Sequence, residues 1–519
     1  MLASPLFSLT AAGSAILFLG LGYASGAQTI LLLALLAMGA QGSAILHDVL
    51  ANPHTRWSIS RLHAGALLFW YGLGSAFGLA AGDGFLLQVG GSVSVENMSL
   101  AGLLILATVF GMLLFSRAEH HFWKPVLQNL RVNTQQNTPF MTLFILGLTL
   151  AMYYFLANDM LALRDVVQGA GKNFVLLIKA MFLASLAGLA WMLGEPGALY
   201  RASNLILLVL VLPIAAIILI SLGRLPLALY VGSILLFFGW RRGWRFSPSQ
   251  ILMCLLIASP LIFVGSQVFH GMRIESRAAG YLGKDNAPLL QALEAVGRED
   301  RATWGRVLSD QLDHLPHRTF FLHYPAALID VPWTPNYGLG DHQAAQVVIA
   351  IPNAFLPNKH DIIEELGGIG EDRLPAFGLP NMSDFPNTLF TTVFLDFGFA
   401  TPFIVMVMVP LIGASFALLI RFLHDPMFQI MGIGICLVTF FTIEGFFVSA
   451  SLVAMREIAF LLPFAFLAVA SAFLLRPARI QMDFPGGPEA TPPNPPSQPA
   501  RPAQGGQTTG GPTPNPQPY

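Results

Sequence analysis

Residues 203–221 read Ser-Asn-Leu-Ile-Leu-Leu-Val-Leu-Val-Leu-Pro-Ile-Ala-Ala-Ile-Ile-Leu-Ile-Ser, nineteen residues without a charge. Wound as a helix at 1.5 Å per residue, such a run is about 28 Å long, close to the thickness of a bilayer's hydrocarbon core. Only a helix satisfies every backbone N–H and C=O inside lipid, and a proline such as Pro213 is tolerated there. After the tight turn Ser221–Arg224, a second apolar run follows at 224–240. Outward from this pair, further runs lie near 6–24, 28–47, 61–81, 98–116, 139–157, 173–194, 250–269, 388–421, 427–448 and 454–475. The pattern predicts an all-α polytopic membrane protein with about twelve transmembrane helices. The run at 388–421 is long enough to be tilted or broken, with a bend expected near Gly398 or Pro402.

Composition agrees. Of 519 residues, 55% are hydrophobic and 11% charged, against about 25% charged in soluble domains. Mean hydropathy is +0.64. These values exclude a soluble enzyme and a disordered chain, and the net charge of −1 gives no basic surface for nucleic acid. Cys254 and Cys436 both lie in apolar runs, so neither a disulfide framework nor zinc-ligand spacing is present.

The charges are uneven. Residues 270–386 hold 24 of the 55 charged residues and six of the 12 histidines. Four regions follow: transmembrane helices one to nine in 1–269, a polar cap in 270–386, helices ten to twelve in 387–480, and a tail in 481–519. Residues 485–519 hold 12 of the 36 prolines, a composition that cannot bury a core and reads as disordered. Lys and Arg in short loops set orientation. With the N-terminus in the cytoplasm, the inner loops and ends carry Arg56, Arg61, Arg117, Lys124, Arg131, Arg201, Arg241, Arg242, Arg245, Arg421, Arg476 and Arg479. The opposite side carries Arg164, Lys172, Arg224 and Arg456. Both termini are therefore expected inside and the cap outside.

The cap reads as helical. Asp285-Asn-Ala-Pro288 is a helix start, followed by Leu289, Leu290, Leu293 and Val296 on one face. A second helix is expected near Asp300 with Trp304, Val307, Leu308 and Leu312 inward, a third in Arg318–Leu328, and a fourth over His360–Leu366. Several charges gather at the depth of the cap: Arg164, Asp165, Lys172, Lys179, Asp396, Glu444, Arg456 and Glu457. Snorkelling and structural ion pairs account for any one of them. Taken together they mark a polar chamber in the outer leaflet, where guanidinium groups suit a diphosphate.

Three stretches carry a resemblance: Arg318-Thr-Phe-Phe-Leu-His-Tyr-Pro-Ala-Ala-Leu-Ile-Asp330, Thr334-Pro-Asn-Tyr-Gly-Leu-Gly340 and Ile349-Ala-Ile-Pro-Asn-Ala-Phe-Leu-Pro-Asn-Lys359. They resemble the large outer loop of bacterial oligosaccharide repeat-unit polymerases, the Wzy-type O-antigen and exopolysaccharide polymerases. Asn387–Ala400 resembles the re-entry helix of that family, and Ser451–Phe460 its late arginine-bearing helix. The sequence departs from the family pattern at Asn353 and Ala400.

The resemblance implies a glycosyltransferase of the bacterial cytoplasmic (inner) membrane. It would transfer a growing glycan from one polyprenyl diphosphate to a sugar hydroxyl of another lipid-linked repeat unit, without metal or other cofactor. Its partners would be the lipid-linked oligosaccharide and membrane lipid, with a chain-length regulator and a flippase as further candidates, and no nucleic acid. Cations must stabilise the leaving diphosphate, and a carboxylate or histidine must take the acceptor proton. Arg318 is the first candidate for the diphosphate, followed by Lys359, Arg373, Arg277 and Arg456. The base candidates are His323, Asp330, Asp341, His342 and Asp396. Tyr337 would stack on a sugar ring or simply pack. Two other readings stay open: a ligase or other outer-face transferase with the same donor, and a non-enzymatic transporter or flippase.

Overall fold

The computed structural model describes residues 5–80, 93–132, 138–163, 171–244, 246–278, 288–297, 322–330, 338–352, 355–368, 388–442 and 447–474. Among these residues every regular element is a helix, and β structure is confined to one isolated bridge between Ala162 and Pro288. The expected second cap helix, residues Arg164, Asp165 and Glu444, and the proline-rich tail lie outside the described residues.

The first nine apolar runs become α1 (Pro5–Ser25), α2 (Gln28–Ala51), α3 (Ile59–Phe69, continued by a π turn Trp70–Gly74 and by Ser75–Ala80), α4 (Val95–Val132), α5 (Thr138–Ala157), α6 (Lys172–Leu193), α7 (Ala202–Ser221), α8 (Arg224–Arg241) and α9 (Pro248–Ala278). The polar insert contributes α10 (Leu289–Gly297), α11 (His323–Asp330), α12 (Asp341–Ala350) and α13 (Lys359–Glu365). The tenth run divides into α14 (Leu389–Phe397) and α15 (Thr401–Arg421), and the chain ends in α16 (Pro426–Phe441) and α17 (Phe447–Leu474). Among the described residues nine helical stretches are long and apolar enough to cross a membrane, α14 and α15 counting as one. Leu225–Arg241 and Pro426–Phe441 are apolar but shorter.

Lipid-type packing is plain in α7. Leu207, Val211, Ile214 and Ile218 are buried, at helical spacing, while Leu205, Ile206, Val209 and Leu212 are exposed. A helix apolar all round that turns one face outward is solvated by hydrocarbon, not water. α4 packs against α1, α3 and α15, and α6 packs against α5, α8 and α16.

Helix ends follow local chemistry where a cap is available. Ser58 accepts from the Arg61 N–H at the start of α3, and Thr388 from the Thr391 N–H at the start of α14. Asp425 accepts from the N–H groups of Met427 and Phe428, with Pro426 at the first helical position of α16. The expected break of the tenth run falls at Gly398, whose φ of 53° lies in the left-handed region that a side chain disfavours.

Two helices outrun their apolar segments. α4 continues to Val132, well past residue 116, because its polar end finds partners: Asn129 Nδ2 donates to the His424 carbonyl at 3.0 Å and to Gln429 Oε1 at 3.0 Å. α9 runs on to Ala278, so the first residues of the polar insert continue the helix that begins at Pro248.

α10 forms where Asp285–Pro288 announced it, with Leu289, Ala292 and Val296 buried and Leu290 turned outward. Its first N–H, from Leu289, donates to the Leu161 carbonyl at 2.8 Å. α11 overlaps the third expected cap segment and runs two residues beyond it, α13 begins one residue ahead of the fourth, and α12 was not anticipated.

Candidate functional site at the junction of insert and membrane body

α12 is held at both ends by charged side chains from elsewhere. Asp396, near the end of α14 and fully buried, accepts from the His342 N–H at 3.0 Å through Oδ1 and from the Gln343 N–H at 2.9 Å through Oδ2. The backbone just ahead of α12 is strapped to the same place: Gly338 N–H donates to the Leu395 carbonyl at 3.4 Å and Leu339 N–H to the Asp396 carbonyl at 3.1 Å. At the other end, Lys359 Nζ donates to the carbonyls of Ile349 and Ile351, each at 3.4 Å. An anion at the N-terminus and a cation at the C-terminus both oppose the helix dipole.

The insert in turn completes the membrane body. Gln346 of α12 is buried, and its Oε1 accepts from the Val448 N–H at 3.1 Å, capping the start of α17. Ser75 Oγ, buried at the end of the third span, accepts from the Leu322 N–H at 3.0 Å and so caps α11. Tyr71 and Thr388 share a hydrogen bond of 2.6 Å between their hydroxyls. α12 therefore packs on α14 and α17, and α11 packs on α4.

The sequence-predicted residues divide as follows. Asp341, His342 and Asp396 are brought together at the start of α12, with Asp341 exposed and His342 fully buried. His323, in the first turn of α11, is buried, and burial lowers its pKa from 6.5 to about 4. Lys359 is half-buried and engaged with carbonyls, and Arg456 is exposed on α17. Arg277 lies in the last turn of α9 and Asp330 at the end of α11. The side chains of Arg277 and Asp330, and all of Arg318, Tyr337 and Arg373, lie outside the described residues.

Two buried groups were not singled out from the sequence. His63, in α3, is 1% exposed, and its Nδ1 meets the Phe440 carbonyl at 2.8 Å. It lines a cavity of about 240 Å³ together with Leu389, Thr439, Thr442, Phe447 and Glu457. A histidine inside an apolar run is itself a signal, since polar groups in lipid are costly. Glu119 is also buried, and accepts from the Ile59 N–H at 2.6 Å, the Ser60 N–H at 3.0 Å and Trp123 Nε1 at 3.1 Å.

Comparisons with protein-family models, with curated proteins and with solved structures find no match for this chain.

Proposed function

We propose that the protein is a multi-pass polysaccharide polymerase that joins polyprenyl-diphosphate-linked repeat units at the outer face of a bacterial cytoplasmic membrane. In this reading the twelve apolar runs are twelve spans, both termini face the cytoplasm, and the insert faces outward.

One observation carries the reading. α12, which lies between the second and third stretches that resemble the polymerase loop, is tied to the membrane body by Asp396 and Gln346, and to α13 of the insert by Lys359. A catalytic group on so rigid a support stays in place without reorganisation. Asp341 is the carboxylate of that helix left exposed, and it becomes the preferred base for the acceptor hydroxyl. Asp396 has both oxygens committed to backbone N–H groups, which suits positioning rather than proton transfer. Arg318 remains the preferred partner of the leaving diphosphate, with Arg373, Arg277 and Arg456 in support.

The test is reconstitution. Purified protein in lipid, given only lipid-linked repeat units, is expected to build a ladder of lengthening glycan. Arg318→Ala is expected to abolish the ladder, and Asp341→Asn to slow it by about 10²–10⁴-fold. Product that forms only after a second acceptor is added makes the protein a ligase. Normal chain length in both variants overturns the reading.

A further inference from the structure

The cavity beside His63 has a definite hydrogen-bonding character. A carbonyl oxygen only accepts, so the contact with Phe440 places the ring proton of His63 on Nδ1. In the neutral ring Nε2 is then an acceptor, buried and without a hydrogen-bonding partner among the described residues. The Glu457 carboxylate, on the same cavity, is a second acceptor. Thr442 Oγ1 directs its proton to the Val438 carbonyl at 2.8 Å, which leaves the oxygen lone pairs available. Apart from Thr439 the rest of the lining is apolar, with Phe447 4.9 Å from the His63 ring between centroids. Such a pocket matches a compact ligand with several O–H donors on one edge and C–H groups on its face. A lone acceptor in an apolar wall otherwise costs free energy.

We propose that this cavity is a binding subsite for one sugar ring, with His63 Nε2 and Glu457 accepting hydrogen bonds from its hydroxyls and Phe447 meeting its apolar face. The choice of a sugar rests on the polymerase reading, whereas the acceptor-rich chemistry does not. The volume of about 240 Å³ gives room for a ligand of the size of a single ring. The site joins elements far apart in the chain: α3 supplies His63, α14 Leu389, the end of α16 the threonines, and the first turns of α17 Phe447 and Glu457. Because Gln346 caps α17 one residue beyond Phe447, the docked insert and the cavity share a wall.

The full-length protein, labelled with ¹⁵N in its histidine rings and held in phosphatidylcholine nanodiscs, reads this directly. The His63→Gln variant identifies the His63 signals by their loss. Methyl glycosides of glucose, galactose, mannose, rhamnose and N-acetylglucosamine are then added in turn. At least one is expected to move the His63 Nε2 resonance, with saturation. Glu457→Gln, which replaces one acceptor oxygen by an NH₂ donor, is expected to weaken that binding roughly tenfold or more. Ala450→Leu, which fills the cavity and leaves both polar groups in place, is expected to abolish the shift, and it serves if His63→Gln does not fold. No shift with any glycoside, or a shift with methylammonium instead, overturns the proposal. Glycoside binding without ladder formation keeps the subsite and removes the polymerase. Ladder formation in the Ala450→Leu variant, with no glycoside shift in the native protein, does the reverse.

Discussion

Asp396 and Glu119 answer the same physical demand at two places. Each is a buried carboxylate whose oxygens accept backbone N–H groups from the first turn of a helix distant in sequence. An unpaired charge there would be prohibitive, and the exposed N–H groups of a helix start are the available remedy. Asp396→Ala leaves one buried and one partly buried N–H group without an acceptor and is expected to destabilise the docking of α12 by roughly 2–4 kcal/mol. Hydrogen exchange at the His342 and Gln343 amides checks this, and Asp396→Asn should lose less because one oxygen still accepts. Glu119 also depends on Gly413, where a side-chain carbon would overlap its carboxylate. Gly413→Ala is expected to displace Glu119 and lower stability by about 1–3 kcal/mol, measured as a reduced unfolding temperature in detergent. A lone aspartate in an apolar run marked Asp396 as important, but its partners lie 54 and 53 residues upstream, so the sequence carried the position and not the role. His63 carries the same signal, a polar group in an apolar run, but nothing beside it in the chain announces the carbonyl of Phe440 or a cavity shared with Glu457.

α12 shows why one cap helix escaped a reading based on hydrophobic periodicity. Its buried face is His342, Ala345 and Gln346, so the helical spacing is present but written in polar residues. Burial of those groups is compensated by hydrogen bonds across the junction, which periodicity cannot see. α10 was legible because its buried face is Leu289, Ala292 and Val296 behind a local start signal. Removing the cap on α17 with Gln346→Ala is expected to cost about 1 kcal/mol and to speed hydrogen exchange at the Val448 amide. α11 has a pH dependence of its own. The folded pKa of His323, about 4, lies below the unfolded value of 6.5, so the unfolded segment binds more protons between those limits. Stability of the docked helix therefore rises with pH through that window and is lost on acidification. Proteolysis within the insert should be faster at pH 5 than at pH 7, and His323→Gln should flatten the difference.

At the scale of the molecule, the apolar runs located the nine helical stretches that, among the described residues, are long and apolar enough to cross a membrane, because each must meet its own backbone hydrogen bonds within the segment. They were insufficient for the ends of α4 and α9, where polar residues continue a helix that packing stabilises. The loop charges lead to a direct measurement: alkaline phosphatase fused at residue 368 is expected to be active outside, and a fluorescent protein fused at residue 480 to fold inside. The opposite pattern would invert the orientation. The mutual capping of insert and body also bears on biogenesis. Residues 341–350 leave the ribosome before Asp396 does, and Asp396 before Val448, so neither cap can close in the order of synthesis until the following span has been threaded into the bilayer. With the insert facing outward as proposed, a nascent chain stopped at residue 387 would expose it with no anchor at α12, a natural substrate for envelope proteases. In the proposed orientation, completion of the last span is the event that seals the outer face, and quality control of this protein is expected to sense its C-terminal helices through the stability of a segment made a hundred residues earlier.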